Sequence, residues 1–157
     1  LRMNALTDMP LMAALARAGR QGAKVDLVVR GACMLPARVA GVTDNIRVRS
    51  IVGRFLEHTR VFYFRVDQEE QLLLSSADWM NRNMLRRLEL AWPVTDASLR
   101  SRIMDECLSA SLHDNKDAWL LQPDGRYVPA GALGTGKGRS GQHSAQAALM
   151  ARYGSKG

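Results

Sequence analysis

The run Lys24 to Arg30 (KVDLVVR) constrains this chain most. Its valines and leucine, interrupted only by Asp26, make a nearly continuous apolar stretch of β-branched character. Such a stretch suits a strand covered on both faces, as in parallel sheets with helices on either side. Residues 7–19, just before it, read as a helix. Thr7 or Asp8 can cap it, Pro10 suits its first turn, Leu11, Leu15 and Ala18 recur on one face, and Gly19 and Gly22 end it. A helix feeding straight into a buried strand is half of a β-α-β unit. The pattern predicts an α/β fold, a mixed β-sheet flanked by helices, with a strand missing upstream and the chain a fragment of something larger.

Gly31 to Asn45 reads as a loop, from Pro36, Gly41, Asp44 and Asn45. Ile46 to Ile51 alternates and is expected as a strand, with a helix running on through Phe55 and Leu56 as the alternative. Val61–Val66 and Leu72–Ser76 are further strands, joined by residues 67–70. Arg87 to Val94 alternates with Leu88, Leu90 and Trp92 on one side, and Pro93 marks its end or a sheet edge. Thr95 or Asp96 caps an amphipathic helix with Leu99, Ile103, Cys107, Leu108 and Leu112 at helical spacing, stopped at Asp114 and Asn115. Trp119–Leu121 and Arg126–Val128, around Pro123-Asp124-Gly125, read as a hairpin. Residues 130–141 are rich in glycine and basic residues and read as a mobile stretch, and 143–153 as a short terminal helix. The chain thus divides into residues 1–129 and a basic tail, 130–157.

A length of 157 residues at 46% hydrophobic content supports one domain with a real core. No apolar run approaches the ~18 residues that cross a bilayer, and the first residues lack a signal-peptide pattern. Cys33 and Cys107 are too few and too far apart for a disulfide framework or a zinc site, and read as buried free thiols in a reducing cytoplasm. The 22 basic residues exceed the 15 acidic ones by seven. From Asn115 onward there are six basic and two acidic residues, so more than half of the surplus sits there. It implies attraction to anions without choosing between nucleic acid, nucleotide and inorganic polyanion.

Residues 53–83 hold the candidate site. His58 stands between Arg54 and Arg60, and the apolar run Leu72-Leu73-Leu74 delivers Ser75, Ser76 and Asp78, with Arg82 following. Arginine forks donate two parallel hydrogen bonds to phosphate oxygens, and a histidine can act as nucleophile or proton carrier. Arg30, at a strand's end, suits a ligand contact, since open α/β sheets bind at the carboxyl ends of their strands. Each has a plainer alternative: a surface histidine, a solvated arginine, a strand-terminating turn. Asp78 could orient Arg82 or the histidine. Gly131 to Lys137 (GALGTGK) fits a phosphate-loop pattern only superficially, because Gly138 replaces the magnesium-binding hydroxyl and no strand leads in. His113 and His143 read as surface residues, and Trp79 and Trp92 as packing rather than base-stacking platforms.

Four runs carry a resemblance: Met3 to Asp8, Val25 to Gly31, Asp44 to His58, and Ser75 to Met80 with Arg82 and Asn83. In this order they resemble the C-terminal catalytic domain of bacterial polyphosphate kinase, from about Leu1 to Tyr127. That family is built on a phospholipase-D-like fold of two similar halves, so the resemblance implies a phospholipase-D-like half, incomplete at its N-terminus. The superfamily motif can be laid over His58, Arg60 and Arg65 and then Ser75, Ser76, Asp78 and Arg82. Arginine in place of the motif's lysine, and Arg65 in place of its aspartate, argue against phosphodiester hydrolysis and for phosphoanhydride chemistry.

The resemblance implies reversible transfer of the ATP terminal phosphate to inorganic polyphosphate through a phosphohistidine in a part this chain does not contain. It assigns His58 to stabilising or protonating the transferring phosphate and Arg30 to holding phosphate oxygens, with Arg54, Arg60, Ser76, Asp78 and Arg82 in support. It implies Mg2+ arriving with ATP, its protein ligands lying in the missing half, so none is assigned here. The implied partners are ATP or ADP, polyphosphate and the remaining polyphosphate kinase domains, in a homo-oligomer without specific nucleic acid. The implied location is the cytoplasm, or the periphery of the inner membrane. Isolated, the chain would bind weakly and turn over little or nothing. The competing class is a non-catalytic polyanion- or nucleic-acid-binding domain using the basic face and tail.

Overall fold

The structure, a computed structural model, describes residues 1–133 and 141–154. Its spine is a mixed eight-stranded sheet. The strands are β1 (Arg2–Met3), β2 (Val25–Val29), β3 (Ile46–Ile51), β4 (Val61–Val66), β5 (Glu69–Ser75), β6 (Ala91–Pro93), β7 (Ala118–Leu121) and β8 (Tyr127–Pro129). Their order is β6-β5-β4-β1-β2-β3-β7-β8. The central β1, β2 and β3 run parallel, and every outer strand pairs antiparallel with its inner neighbour. The strand expected upstream of the chain is therefore within it: β1 pairs Arg2 with Val28 and Met3 with Val29.

Helix α1 (Met9–Arg20) crosses from β1 to β2. Its cap is Asp8, whose carboxylate accepts from the Leu11 amide at 3.1 Å, with Pro10 in the first turn as anticipated. It lays Met12 and Leu15 on one face of the sheet, against Val25, Leu27, Val29, Ile46 and Val48. The strand period of two sends Val28 and Ile51 to the opposite face, where they meet Ala118 and Ala130. Burial on both faces is why β2 is almost wholly apolar.

The second face is covered by a helical run over residues 97–113, capped by Asp96 and built from α3 (Ala97–Ile103), a π-helical stretch (Met104–Ser109) and α4 (Ala110–His113). Leu108 packs there on Val61 and Leu72, with Ile103 and Cys107 alongside, whereas Leu99 is exposed. The π stretch is pinned by Arg2, whose Nη1 donates to the Cys107 carbonyl and the Ser111 hydroxyl, each at 2.9 Å. Both cysteines are free and half-buried rather than fully buried.

Two expectations need correction. The stretch 87–94 is strand only over Ala91–Pro93, at the sheet edge; Leu88 and Leu90 stand in solvent, Leu88 at 99% exposure. Glu69 and Glu70 belong to β5 rather than to the preceding turn. A short helix, α2 (Asn81–Arg86), fills the interval before residue 87.

Helix α5 (Ala145–Gly154) follows residue 141 and rests on the turn after α4: the Ala145 amide donates to Asp114 at 2.7 Å, and the Asn115 and Lys116 amides donate to the His143 carbonyl. His143 is accordingly half-buried, not a surface residue. The mobile stretch expected over 130–141 begins with a single 3-10 turn, Ala130–Leu133; residues 134–140, with most of the GALGTGK run, lie outside the described residues. No described helix is long and apolar enough to cross a membrane.

Candidate active site

Parallel strands β1 and β2 end side by side, and the next residue of each, Asn4 and Arg30, forms the floor of the site. Arg30 Nε donates to Asn4 Oδ1 at 3.1 Å, and the Ser50 hydroxyl donates to the Arg30 carbonyl at 2.8 Å. One nitrogen of the guanidinium is thus anchored by Asn4. Gly31 allows the chain to pass: a Cβ there would sit 3.1 Å from the Asn4 carbonyl oxygen.

The loop from Val52 to Arg60 closes the other side. Glu57 and Thr59 line, with Arg2, Asn4 and Arg30, a cleft of about 10 Å³. His58 lies between these two lining residues in the chain, and its own side chain is exposed and lines none of the cleft. Arg30 and the His58 loop are therefore brought together, while the imidazole itself stands in solvent outside the cleft lining.

Both flanks of His58 are tied down. On one side Glu57 pairs with Arg2 Nη2 at 2.6 Å. On the other, Arg60 lays its fork on Asp78, Nε to Oδ1 at 3.1 Å and Nη2 to Oδ2 at 3.0 Å, while Nη1 donates to the His58 carbonyl at 3.1 Å. Asp78 Oδ1 also accepts from the amides of Asn4 at 2.7 Å and Ala5 at 3.3 Å. Burial alone would push the Asp78 carboxyl up; the bonds from Arg60 and from these amides outweigh it and hold the carboxyl below its ordinary value. Asp78 therefore orients Arg60, and not Arg82 or the histidine ring as the sequence suggested.

The remaining candidates serve other ends. The Ser76 hydroxyl donates to Glu89 and accepts from the Leu90 amide at 3.0 Å, which stitches the 89–90 segment to β5. Arg54 is exposed and its guanidinium lies over the Phe55 ring at 5.6 Å. Arg82 is exposed on α2. Arg65 lies near the far end of β4, four residues beyond Val61, opposite Glu70 near the tip of the β4–β5 hairpin. Of the residues under the phospholipase-D overlay, the structure joins Arg60 to Asp78 and to the His58 carbonyl, and sets Arg65 apart from them on the β4–β5 hairpin. Asn4, Glu57 and Arg2 were missed as site residues; the adjacency of two parallel strand ends is the signal that would have found Asn4.

Comparison with known proteins places these observations in a family. The family model for polyphosphate kinase C-terminal domain 2 matches residues 1–141. The polyphosphate kinase of Burkholderia ambifaria is 53% identical over 126 residues, 80% of this chain and 18% of the relative. That of Pseudomonas putida is 51% identical over 151 residues, 96% of this chain and 20% of the relative. The crystal structure of polyphosphate kinase from Porphyromonas gingivalis superposes with a TM-score of 0.88 at 35% identity, over 99% of this chain and 23% of that one. The chain thus spans about one fifth of the length of the curated relatives it matches.

Proposed function

Because this chain belongs to the polyphosphate kinase C-terminal domain family, we propose that it supplies one wall of a site for reversible transfer of the ATP terminal phosphate to inorganic polyphosphate. The reading rests on the Arg30 fork, anchored by Asn4 at the carboxyl ends of β1 and β2 beside the pinned His58 loop. Phosphoryl transfer asks a protein mainly for positioning and for positive charge around the equatorial oxygens. Arg30 holds those oxygens through its Nη edge. The exposed His58 donates to or protonates the transferring group as its charge develops. A histidine nitrogen outside this chain forms a bond to the γ-phosphorus as the bond to the bridging oxygen breaks and ADP departs with that oxygen. The nitrogen–phosphorus bond then breaks as a terminal polyphosphate oxygen bonds the phosphorus.

Mg2+ enters this reading only on the nucleotide, where it would neutralise phosphate charge. The carboxylates that hold the His58 loop do not fit a metal: Glu57, which lines the cleft, is engaged by Arg2 and Gln146, and Asp78, which does not line it, by Arg60 and two amides. In the complete enzyme the remaining domains complete the site, in a homo-oligomer.

In that complete enzyme, Arg30→Ala and His58→Ala are each expected to lower kcat/KM on the order of 10²-fold. Arg30→Lys recovers little, because an ammonium cannot both donate to Asn4 and present a fork. The isolated chain is titrated in parallel with ATP, long-chain polyphosphate and single-stranded RNA at low and high salt. Loss of ATP and polyphosphate binding in the double variant supports the reading. Binding that survives it, ignores the ligand and falls steeply with salt overturns it in favour of a non-catalytic polyanion- or nucleic-acid-binding domain.

A further inference from the structure

Helix α5 lies beyond the region matched by the family model, which ends at residue 141. One of its side chains nevertheless reaches into the loop that carries His58. Gln146 is 7% exposed. Its Oε1 accepts from the Phe55 amide at 2.9 Å, and its Nε2 donates to the Phe55 carbonyl at 2.9 Å and to Glu57 Oε2 at 3.1 Å. A primary amide gripping both backbone groups of one residue reproduces the pairing of a neighbouring strand, in a segment that has none. Gly53 leaves the space for it: a Cβ there would fall 2.4 Å from Gln146 Oε1. Gln146 is itself placed by the Ala145–Asp114 bond, and by Ser144, whose hydroxyl donates to Asp117 at 2.5 Å.

We propose that Gln146 is a positioning residue for His58. It fixes the backbone at Phe55 and Glu57, and together with the Arg2–Glu57 and Arg60–Asp78 pairs it sets how far the imidazole stands from an anion at Arg30. The proposal rests on the reading of His58 and Arg30 given above. Its chemical logic is that a glutamine, neutral and both donor and acceptor, satisfies the two backbone groups and Glu57 at once. A carboxylate would face Glu57 with like charge, and an alanine would leave the Phe55 groups to water.

The test compares Gln146→Ala, Gly53→Ala, their combination and His58→Ala in the complete enzyme. The backbone at Gly53 is not left-handed, so the added methyl acts through Gln146 rather than through strain. Amide exchange at Phe55 should speed up in both single variants, and kcat and kcat/KM should fall together by about 10- to 100-fold, the scale of a ~1 Å misplacement. In the combination the three atoms nearest the methyl, all of the Gln146 amide, are gone, so Gly53→Ala should add little to Gln146→Ala. Additive losses, or unchanged exchange at Phe55, overturn the clamp even if Gln146→Ala is poorly folded, because Gly53→Ala is read separately. Wild-type turnover in His58→Ala sinks the reading of the site. Lost turnover in His58→Ala with turnover retained in the other variants sinks the positioning role alone.

Discussion

Asp78→Asn is the substitution whose effect the structure prescribes most fully. The carboxylate is 5% exposed and takes the Asn4 and Ala5 amides on one oxygen and both arms of the Arg60 fork across the two. An asparagine keeps a single acceptor. It can satisfy the amides, but its NH2 then faces the Arg60 Nη2 donor and the guanidinium loses its counter-charge. Breaking one partner of a buried pair costs about 3–5 kcal/mol. The Arg60 side chain is 21% exposed, so water recovers part of this, and the expected loss is about 2–4 kcal/mol. For a chain of this size that is a fall in Tm of roughly 4–16 °C.

The pH dependence of that loss follows from the depressed carboxyl. A group whose folded pKa lies below its unfolded value stabilises fully above the unfolded value, here 3.8, and loses that contribution as pH falls through the folded one. Urea unfolding of wild type and variant should therefore differ by the full amount at pH 7 and converge progressively below pH ~4. A difference under ~0.5 kcal/mol at pH 7, of the size surface changes give, would refute the reasoning. So would a gap that stays constant from pH 7 to pH 3.

Other outcomes follow from the same structure. Leu27 is 1% exposed in the core beneath α1, and Leu27→Ala should destabilise by about 2–5 kcal/mol in the same unfolding assay. Burial pushes both the Cys33 and Cys107 thiols up, so alkylation near pH 7 should be slow in the folded protein and accelerate on unfolding; rapid labelling of the native chain would contradict this.

Much of the central fold was legible in the sequence because its signals are local. Asp8 and Pro10 announce α1, the VDLVV run announces a strand buried on both faces, and Arg30 follows it directly. The 87–94 segment misled because alternation reports a pleat without reporting whether anything covers the apolar side. Here β6 is held to β5 by backbone bonds at the sheet edge while Leu88 and Leu90 face water. Helix α2 has no apolar stripe to reveal it. The choice of Arg60 over Arg82 as Asp78's partner is set by how β4 and the turn after β5 are stacked in space. Asn4 and Arg30 are 26 positions apart, and Phe55 and Gln146 are 91 apart. No periodicity in a single chain encodes such pairs.

The π-helical stretch at Met104–Ser109 amounts to one residue more than a regular helix between the same endpoints would need. Each residue turns an α-helix by about 100°. Without that additional residue, everything from Ala110 on would rotate by that angle. The Ser111 hydroxyl would leave Arg2, the Ser111 and Leu112 carbonyls would leave the Arg49 guanidinium, and the turn at Asp114 that seats α5 would be aimed elsewhere. The length of this helix is thus a gear ratio. A single-residue deletion along 104–109 would therefore disengage at once the ties from Arg2 and Arg49 and the seat of the terminal helix.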